Sequence, residues 1–267
     1  MKRRDFLTGA VAGVVPGAAA VWVSKTARDR DRSAWDKERA DCDRDRAMWK
    51  PDDSRKSYSQ QGEDIVLFHA LRDVLKVNPP TYLDVGAAHP VRSNNTYLLY
   101  GTGGRGVLVE PNPMFAKLLR EKRPLDTIVE AGIGVTDATA ADYYEIQGAP
   151  MLNTFSAEQA ASLQKTGKVV ERVVKMPLIN INRVIADHLG KTPDLVSTDI
   201  EGFDYAVLKS LDLKKSRPGV ICAEGVGMFA RDRLSDLATY LLSQDYVIRG
   251  GSTVNTIYID SRRLPPA

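Results

Sequence analysis

The chain has 267 residues, 43% of them hydrophobic and 27% charged, enough for one large α/β domain with a substantial core. Its 37 basic residues stand against 34 acidic ones for a net charge of +3, which excludes the one-sided basic surface of a dedicated nucleic-acid binder. Cys42 lies in a charged stretch and Cys222 in the apolar run "GVICAEG", so neither a disulfide framework nor a zinc site with close ligand pairs is expected.

The first stretch, "MKRRDFLTGAVAGVVPGAAAVWVSK", carries Arg3-Arg4 and then runs from Phe6 to Ser24 without charge. It resembles a twin-arginine export signal, whose apolar region is rich in Ala and Gly. About 20 apolar residues can also span a bilayer, but Pro16 and the Gly content make a spanning anchor the weaker reading. Residues 25–57 alternate acids and bases closely, a pattern that forms a solvated helix or a stalk. The expected organisation is a signal or membrane-associated segment over 1–24, a charged stalk or linker over 25–57, and one domain over 58–267.

From Tyr58 onward the pattern is that of a globular α/β domain. "SQQGEDIVLFHALRDVL" places Ile65, Phe68, Leu71 and Leu75 on one helical face, which predicts a helix laid on a sheet. Seven short apolar runs follow, over 81–86, 106–110, 127–132, 195–200, 219–224, 246–249 and 255–260. Patterned helices over 115–122, 181–189, 204–211 and 231–243 separate most of them. Strand and helix alternate, which predicts a mostly parallel sheet with helices on both faces.

In such a sheet a ligand sits past the carboxyl ends of the central strands. The first strand ends at Asp84, and Gly86, Ala87 and Ala88 let a ligand come close to backbone. Glu110, at the tip of the next strand "GVLVE", can accept hydrogen bonds from both hydroxyls of a ribose. Where a dinucleotide site uses three glycines, "GAAHPV" has one glycine and a proline, which serves a pyrophosphate poorly. Asp84 would repel a phosphate and attract an ammonium. S-adenosylmethionine joins a ribose, an ammonium and a sulfonium without a phosphate, and it fits.

The stretches "YLDVGAAHPVRSNNTYLLY", "GVLVEPNP", "EAGIG" and "VSTDIEGFDYAVLKSLDL" together resemble the FkbM family of S-adenosylmethionine-dependent methyltransferases, from about Ser59 to about Asp260. The resemblance implies a class I, Rossmann-like methyltransferase fold with a seven-stranded sheet. It makes "DVGAAHP" the cofactor loop and Glu110 the ribose acid. It also implies O-methylation of a hydroxyl on a sugar or related natural product. Cofactor contacts are then expected from Asp84, Gly86 and Ala87 in the loop, and from Glu110 and Pro111 after the second strand. Gly132 and Ile133 are expected to form a wall for the adenine, and Asp199 to sit at the methyl group.

Methyl transfer is an in-line displacement, so the protein mainly aligns the acceptor oxygen and removes its proton. Asp199 is the first candidate for that base, with Glu201, Glu224 and His89 as further catalytic candidates. Asp199, Glu201 and Glu224 could instead hold a divalent cation such as magnesium, although acid spacing alone is weak ground for a metal and none is expected. His69 and His188 fall in helical segments, and Asn94, Asn95 and Thr96 are assigned to capping the helix after the loop.

Two other classes compete with methyl transfer. A nicotinamide-dependent oxidoreductase would share the fold and Glu110 but should show the missing glycines, and an inactive membrane-tethered binding module should have lost Asp84, Glu110 and Asp199. The expected partner is a small-molecule or glycan acceptor, with no nucleic acid. S-adenosylmethionine is made in the cytoplasm, so the expected place is the cytoplasmic face of the membrane, with the N-terminal segment lying in the interface. Export by the twin-arginine route is the alternative.

Overall fold

A computed structural model describes residues 56–200, 202–225 and 235–264. The chain divides into two units, Met1–Arg55 and Lys56–Ala267, and all described residues belong to the second. The expected signal segment over 1–24 and nearly all of the stalk lie outside the described residues, as do Cys42 and Glu201.

The domain opens with helix α1 (Glu63–His69), prolonged by a π-helical turn over Ala70–Val74. Strand β1 (Thr81–Val85), helix α2 (Tyr97–Gly101), strand β2 (Arg105–Val109), helix α3 (Pro113–Lys122) and strand β3 (Thr127–Val129) follow. After an insertion come helix α5 (Ile181–Val184, with a π-helical turn over Ile185–Leu189), strand β7 (Leu195–Thr198), helix α6 (Asp204–Ser210) and strand β8 (Val220–Glu224). Helix α7 (Asp236–Ser243) and the strands β9 (Tyr246–Gly251) and β10 (Asn255–Asp260) complete the chain order. The main sheet has seven strands in the order β3-β2-β1-β7-β8-β10-β9. All pairs from β3 through β8 are parallel, while β10 runs antiparallel to both neighbours.

Both faces of this sheet are covered, which is why its inner strands read as unbroken apolar runs. On one face Leu83, Val85, Val107, Val109, Val196 and Ile221 pack under Val184, Val207, Leu208, Leu237 and Leu241 of α5, α6 and α7. On the other, Tyr82, Leu108, Leu195, Cys222 and Ile257 pack under Leu67, Leu71, Leu99 and Leu119 of α1, α2 and α3. Each fully buried aliphatic side chain contributes roughly 1.5–3 kcal/mol. The two layers hold the strand tips at one fixed edge.

The insertion builds a second sheet that the sequence pattern does not predict. Its strands β4 (Gly132–Gly134), β5 (Ala140–Ile146) and β6 (Val170–Asn180) lie in the order β4-β6-β5, with helix α4 (Ala157–Lys165) between the last two in sequence. The single strand expected over 127–132 is therefore two strands in two sheets, parted by a tight turn in which Ala131 N–H donates to Val129 O at 3.1 Å. Gly132 allows the break, because a side chain there would run into the ring of Phe155.

Candidate active site

Register carries one row of residues across the sheet edge. Val109, Val85, Thr198 and Ala223 are successive cross-strand partners. One residue further on stand Glu110, Gly86, Asp199 and Glu224, and Glu224 pairs with Asn255 of β10. The ladder persists past the strand ends: Gly86 N–H donates to Val109 O at 2.9 Å, Glu110 N–H to Val129 O at 3.0 Å, and Asp199 N–H to Val85 O at 3.1 Å. Alternation along the strands puts the side chains of Glu110, Asp199, Glu224 and Asn255 on the face covered by α1, α2 and α3.

The turn after β1 is shaped by backbone demands. Gly86 has φ +80°, and a Cβ there would strike the carbonyl oxygen of Asp199, so only glycine lets the tips of β1 and β7 meet this closely. Ala88, also left-handed at φ 48°, points its N–H at Glu110 and donates to Oε2 at 2.7 Å. Asn112 N–H donates to Oε1, also at 2.7 Å. The buried carboxylate of Glu110 is thus gripped at both oxygens by backbone, and each oxygen keeps a lone pair for a further donor. Burial pushes its carboxyl up to about 7, against the pull of the Asn112 and Ala88 amides, and the charge of Asp84 adds to the rise.

A cavity of about 380 Å3 opens at this edge. Gly86, Glu110, Pro111, Gly132, Ile133 and Asp199 all line it, so six of the residues expected to touch the cofactor are brought together. Tyr143, Asn153, Thr154 and Phe155 of the insertion close one side, and Gln60, Ser93 and Phe203 line it as well. Sequence reasoning missed these. Tyr143 and Phe155 pack with ring centroids 4.7 Å apart, and burial holds the Tyr143 hydroxyl well above its ordinary range. A second hollow, of about 350 Å3, lies before the start of β7, where Asn182, Lys191, Asp212 and Lys215 line it. It is away from the strand tips and contains none of the candidate residues.

Other expected residues stand elsewhere. Asp84 is 4% exposed, and its carboxylate accepts from the Thr96 hydroxyl at 2.6 Å. Burial pushes its carboxyl up, against the Thr96 hydrogen bond and the charge of Arg123, and Asp84 is outside the cavity wall. Ala87 is buried beneath the turn, with Ala88 taking the place at the cavity. His89 folds back on its own loop, where Nδ1 accepts from Val91 N–H at 3.1 Å and Arg92 N–H at 3.0 Å. Burial and the Arg92 charge push its imidazole below the ordinary value. Glu224 is half-buried at the tip of β8, beyond the cavity wall. Glu201 lies outside the described residues, and among those described no three His, Cys, Asp or Glu side chains are grouped to hold a metal ion.

Beneath the turn is a polar network that sequence reasoning also missed. Arg123, fully buried just past α3, pairs with Asp126 at 2.8 Å. It also donates to Asn94 Oδ1 and Thr96 Oγ1, each at 3.0 Å, and to Tyr82 OH at 2.9 Å. Asn94 Nδ2 in turn donates to Ala87 O at 3.0 Å. Asn94 and Thr96 therefore tie the turn to this network, and the Thr96 side chain makes no cap bond to α2.

Residues 84–248 match the FkbM methyltransferase domain. No curated protein matches the chain. Among solved structures, a TehB-like SAM-dependent methyltransferase from Corynebacterium glutamicum is similar at 10% identity and a TM-score of 0.39, covering 85% of this chain and 99% of that one. An O-methyltransferase from Bacillus cereus in complex with SAH is similar at 15% identity and a TM-score of 0.38, with 76% and 84% covered. A precorrin-6y C5,15-methyltransferase from Geobacter metallireducens reaches 14% and 0.41, with 78% and 94% covered.

Proposed function

The chain belongs to the FkbM-domain family of S-adenosylmethionine-dependent methyltransferases, and from that premise we propose that it methylates a hydroxyl on a glycan or related metabolite, with Asp199 taking the proton. The observation that carries the cofactor assignment is the Glu110 carboxylate, held by two backbone amides at the wall of the cavity with one lone pair left on each oxygen. That donor set suits a vicinal diol. The Gly86 turn presents bare backbone beside it, and no second or third glycine opens a helix N-terminus to a pyrophosphate.

When bound, the cofactor supplies a methyl group on a sulfonium, which a hydroxyl oxygen can attack once its proton has a place to go. Asp199, just past the strand beside the turn and in the cavity wall, offers that place and also aligns the oxygen. Ala131, Gly132, Ile133, Tyr143 and Phe155 line the same cavity, and the Phe155 ring packs on Gly132, so together they offer one apolar wall for a flat ring to lie against.

Calorimetry on the whole chain with S-adenosylhomocysteine and with NAD tests the reading. Binding of the first with no measurable binding of the second is expected, and tight binding of NAD alone would overturn it in favour of an oxidoreductase.

Location is a second part of the proposal. A domain that needs a cytoplasmic cofactor, behind an apolar segment at 1–24 and a charged stalk at 25–57, is best served at the cytoplasmic face of a membrane. Among the described residues no helix is long and apolar enough to cross one, and the apolar segment interrupted by Pro16 is the part of the sequence that suits membrane contact. A reporter fused after Ala267 should be active in the cytoplasm; activity only in the periplasm would favour export.

A further inference from the structure

Three of the large apolar side chains that stay exposed, Val135, Met151 and Phe203, share one place. They are 42%, 49% and 46% exposed, and all three line the cavity at the strand tips. They reach it from separate segments: Val135 follows β4, Met151 sits in a short turn over Pro150–Leu152, and Phe203 precedes α6. Single apolar residues on a surface need no explanation, whereas apolar side chains gathered at the rim of a pocket mark a place that receives a ligand.

Phe203 is the least expected of the three. It stands four residues past Asp199 and occupies the N-cap position of α6, where its side chain makes no capping bond and where Ser, Thr, Asp, Asn or Gly is ordinarily preferred. Its neighbours Ile200 and Tyr205 pack against the core, while the Phe203 ring stays at the surface. The backbone is held on both sides: Phe203 N–H donates to Ile200 O at 3.3 Å, and its carbonyl accepts from Val207 N–H at 3.0 Å. A large apolar ring is thus kept, against local preference, at the rim of the cavity whose wall includes Asp199. Positions that break a local rule in this way are expected at functional sites.

Charge limits what can come there. Among the described residues the cavity wall holds two charged side chains, the acids Glu110 and Asp199, and no Lys, Arg or His. An anionic group entering it would lose water beside like charges and find no cation to pair with. Glu110 and the Gly132 wall serve the cofactor, so an acceptor whose hydroxyl reaches Asp199 has the apolar rim for the rest of its body.

We propose that the acceptor is an uncharged glycoside carrying an alkyl or aryl group near the methylated hydroxyl, and that Phe203 is a specificity-determining residue that receives this group. Laying an apolar group against the exposed ring takes apolar area of both out of water, a gain that a bare sugar does not offer and that a phosphorylated or carboxylated one loses to the two acids. The inference rests on the methyl-transfer reading and adds to it the charge of the acceptor and the residue that reads its apolar part.

The test uses the full chain loaded with S-adenosylhomocysteine and labelled with 13C at the methionine methyl groups. The Met151 signal is identified by its loss in Met151→Leu. Phenyl β-glucopyranoside should move that signal. Methyl β-glucopyranoside, which lacks the aryl group, and phenyl phosphate, which is an anion, should each need a concentration about tenfold higher to do the same. Phe203→Ser should weaken the phenyl glucoside by about fivefold and Phe203→Tyr should restore it, with S-adenosylhomocysteine affinity unchanged in both. A signal that ignores the phenyl glucoside, or that follows either other probe as readily, would overturn the proposal, and so would undiminished glucoside binding in Phe203→Ser. Loss of S-adenosylhomocysteine affinity in Phe203→Ser would make Phe203 a residue that holds the shape of the site and would overturn it too. Failure of the parent chain to bind S-adenosylhomocysteine would instead bring down the methyl-transfer reading on which it rests.

Discussion

Two buried polar regions of the domain are built to opposite rules. Around Arg123 each nitrogen of the guanidinium has a partner, and Asp126 also accepts from Gly106 N–H at 2.8 Å and from Tyr82 OH at 2.9 Å. At the strand tips the polar groups are held by backbone yet keep bonding capacity in reserve, with two lone pairs on Glu110 and a whole amide on Asn255. A closed network has nothing left to offer a ligand. The difference separates polar groups that are wholly paired from polar groups that retain bonding capacity, although both kinds are buried.

Substitutions can break or sharpen that division, beginning with the largest expected effect. Asp199→Asn keeps shape and removes the base, so turnover should fall by about two to four orders of magnitude while S-adenosylhomocysteine affinity and melting temperature hold. Labelled cofactor supplied with fractionated glycans and lipids gives the readout. Activity that survives this change would take the proton away from Asp199, and loss of activity of the parent on chelation would replace the base by a metal.

Arg123→Met should do the reverse. It strands a buried Asp126 and takes donors from Asn94 and Thr96, and breaking a buried ion pair on one side costs about 3–5 kcal/mol. Denaturant unfolding should show that loss. A variant as stable as the parent would place Arg123 outside the group that holds the shape.

Glu110 belongs with the working residues. Glu110→Ala should weaken S-adenosylhomocysteine by about 1.5–3 kcal/mol, the range for hydrogen bonds to a charged group, with the fold intact. Its pH dependence sharpens the point. A ribose diol needs the ionised carboxylate, and in the free protein that form dominates above about 7. Affinity should be flat above that pH and fall by up to about tenfold per unit below it. Glu110→Gln should bind weakly with no such slope; a slope that persists there would have to come from another group.

The same division explains what could be read from the sequence. The main sheet was legible because a strand covered on both faces is mostly apolar, as in "GVLV" and "VICA". Glu110 was legible because an acid at the end of such a strand has no packing role. The insertion was not. Strand β6 carries Glu171, Arg172 and Lys175 to solvent, so its pattern is that of a loop or a surface helix, and its place over the cavity depends on a second sheet that no local signal announces. Asp84 was misplaced because a carboxylate at a strand tip looks alike whether it faces a ligand or a buried threonine. Arg123 reads as an ordinary basic residue at a helix end. Its partners Tyr82, Asn94, Thr96 and Asp126 come from three segments of the chain, and only the fold brings them together.

The first described residues fasten the domain where it matters most. Tyr58 N–H donates to Asp64 Oδ2 at 2.7 Å, Ser57 Oγ donates to Asp64 Oδ1 at 2.7 Å, and Tyr58 O accepts from Asn94 N–H at 3.0 Å. Asn94 also grips the carbonyl of Ala87, so the point at which residues 1–55 join the domain is two hydrogen bonds from the cofactor turn. A chain begun at Lys56 keeps the anchor, whereas one begun at Gly62 frees Asn94 N–H and also takes Gln60 from the cavity wall.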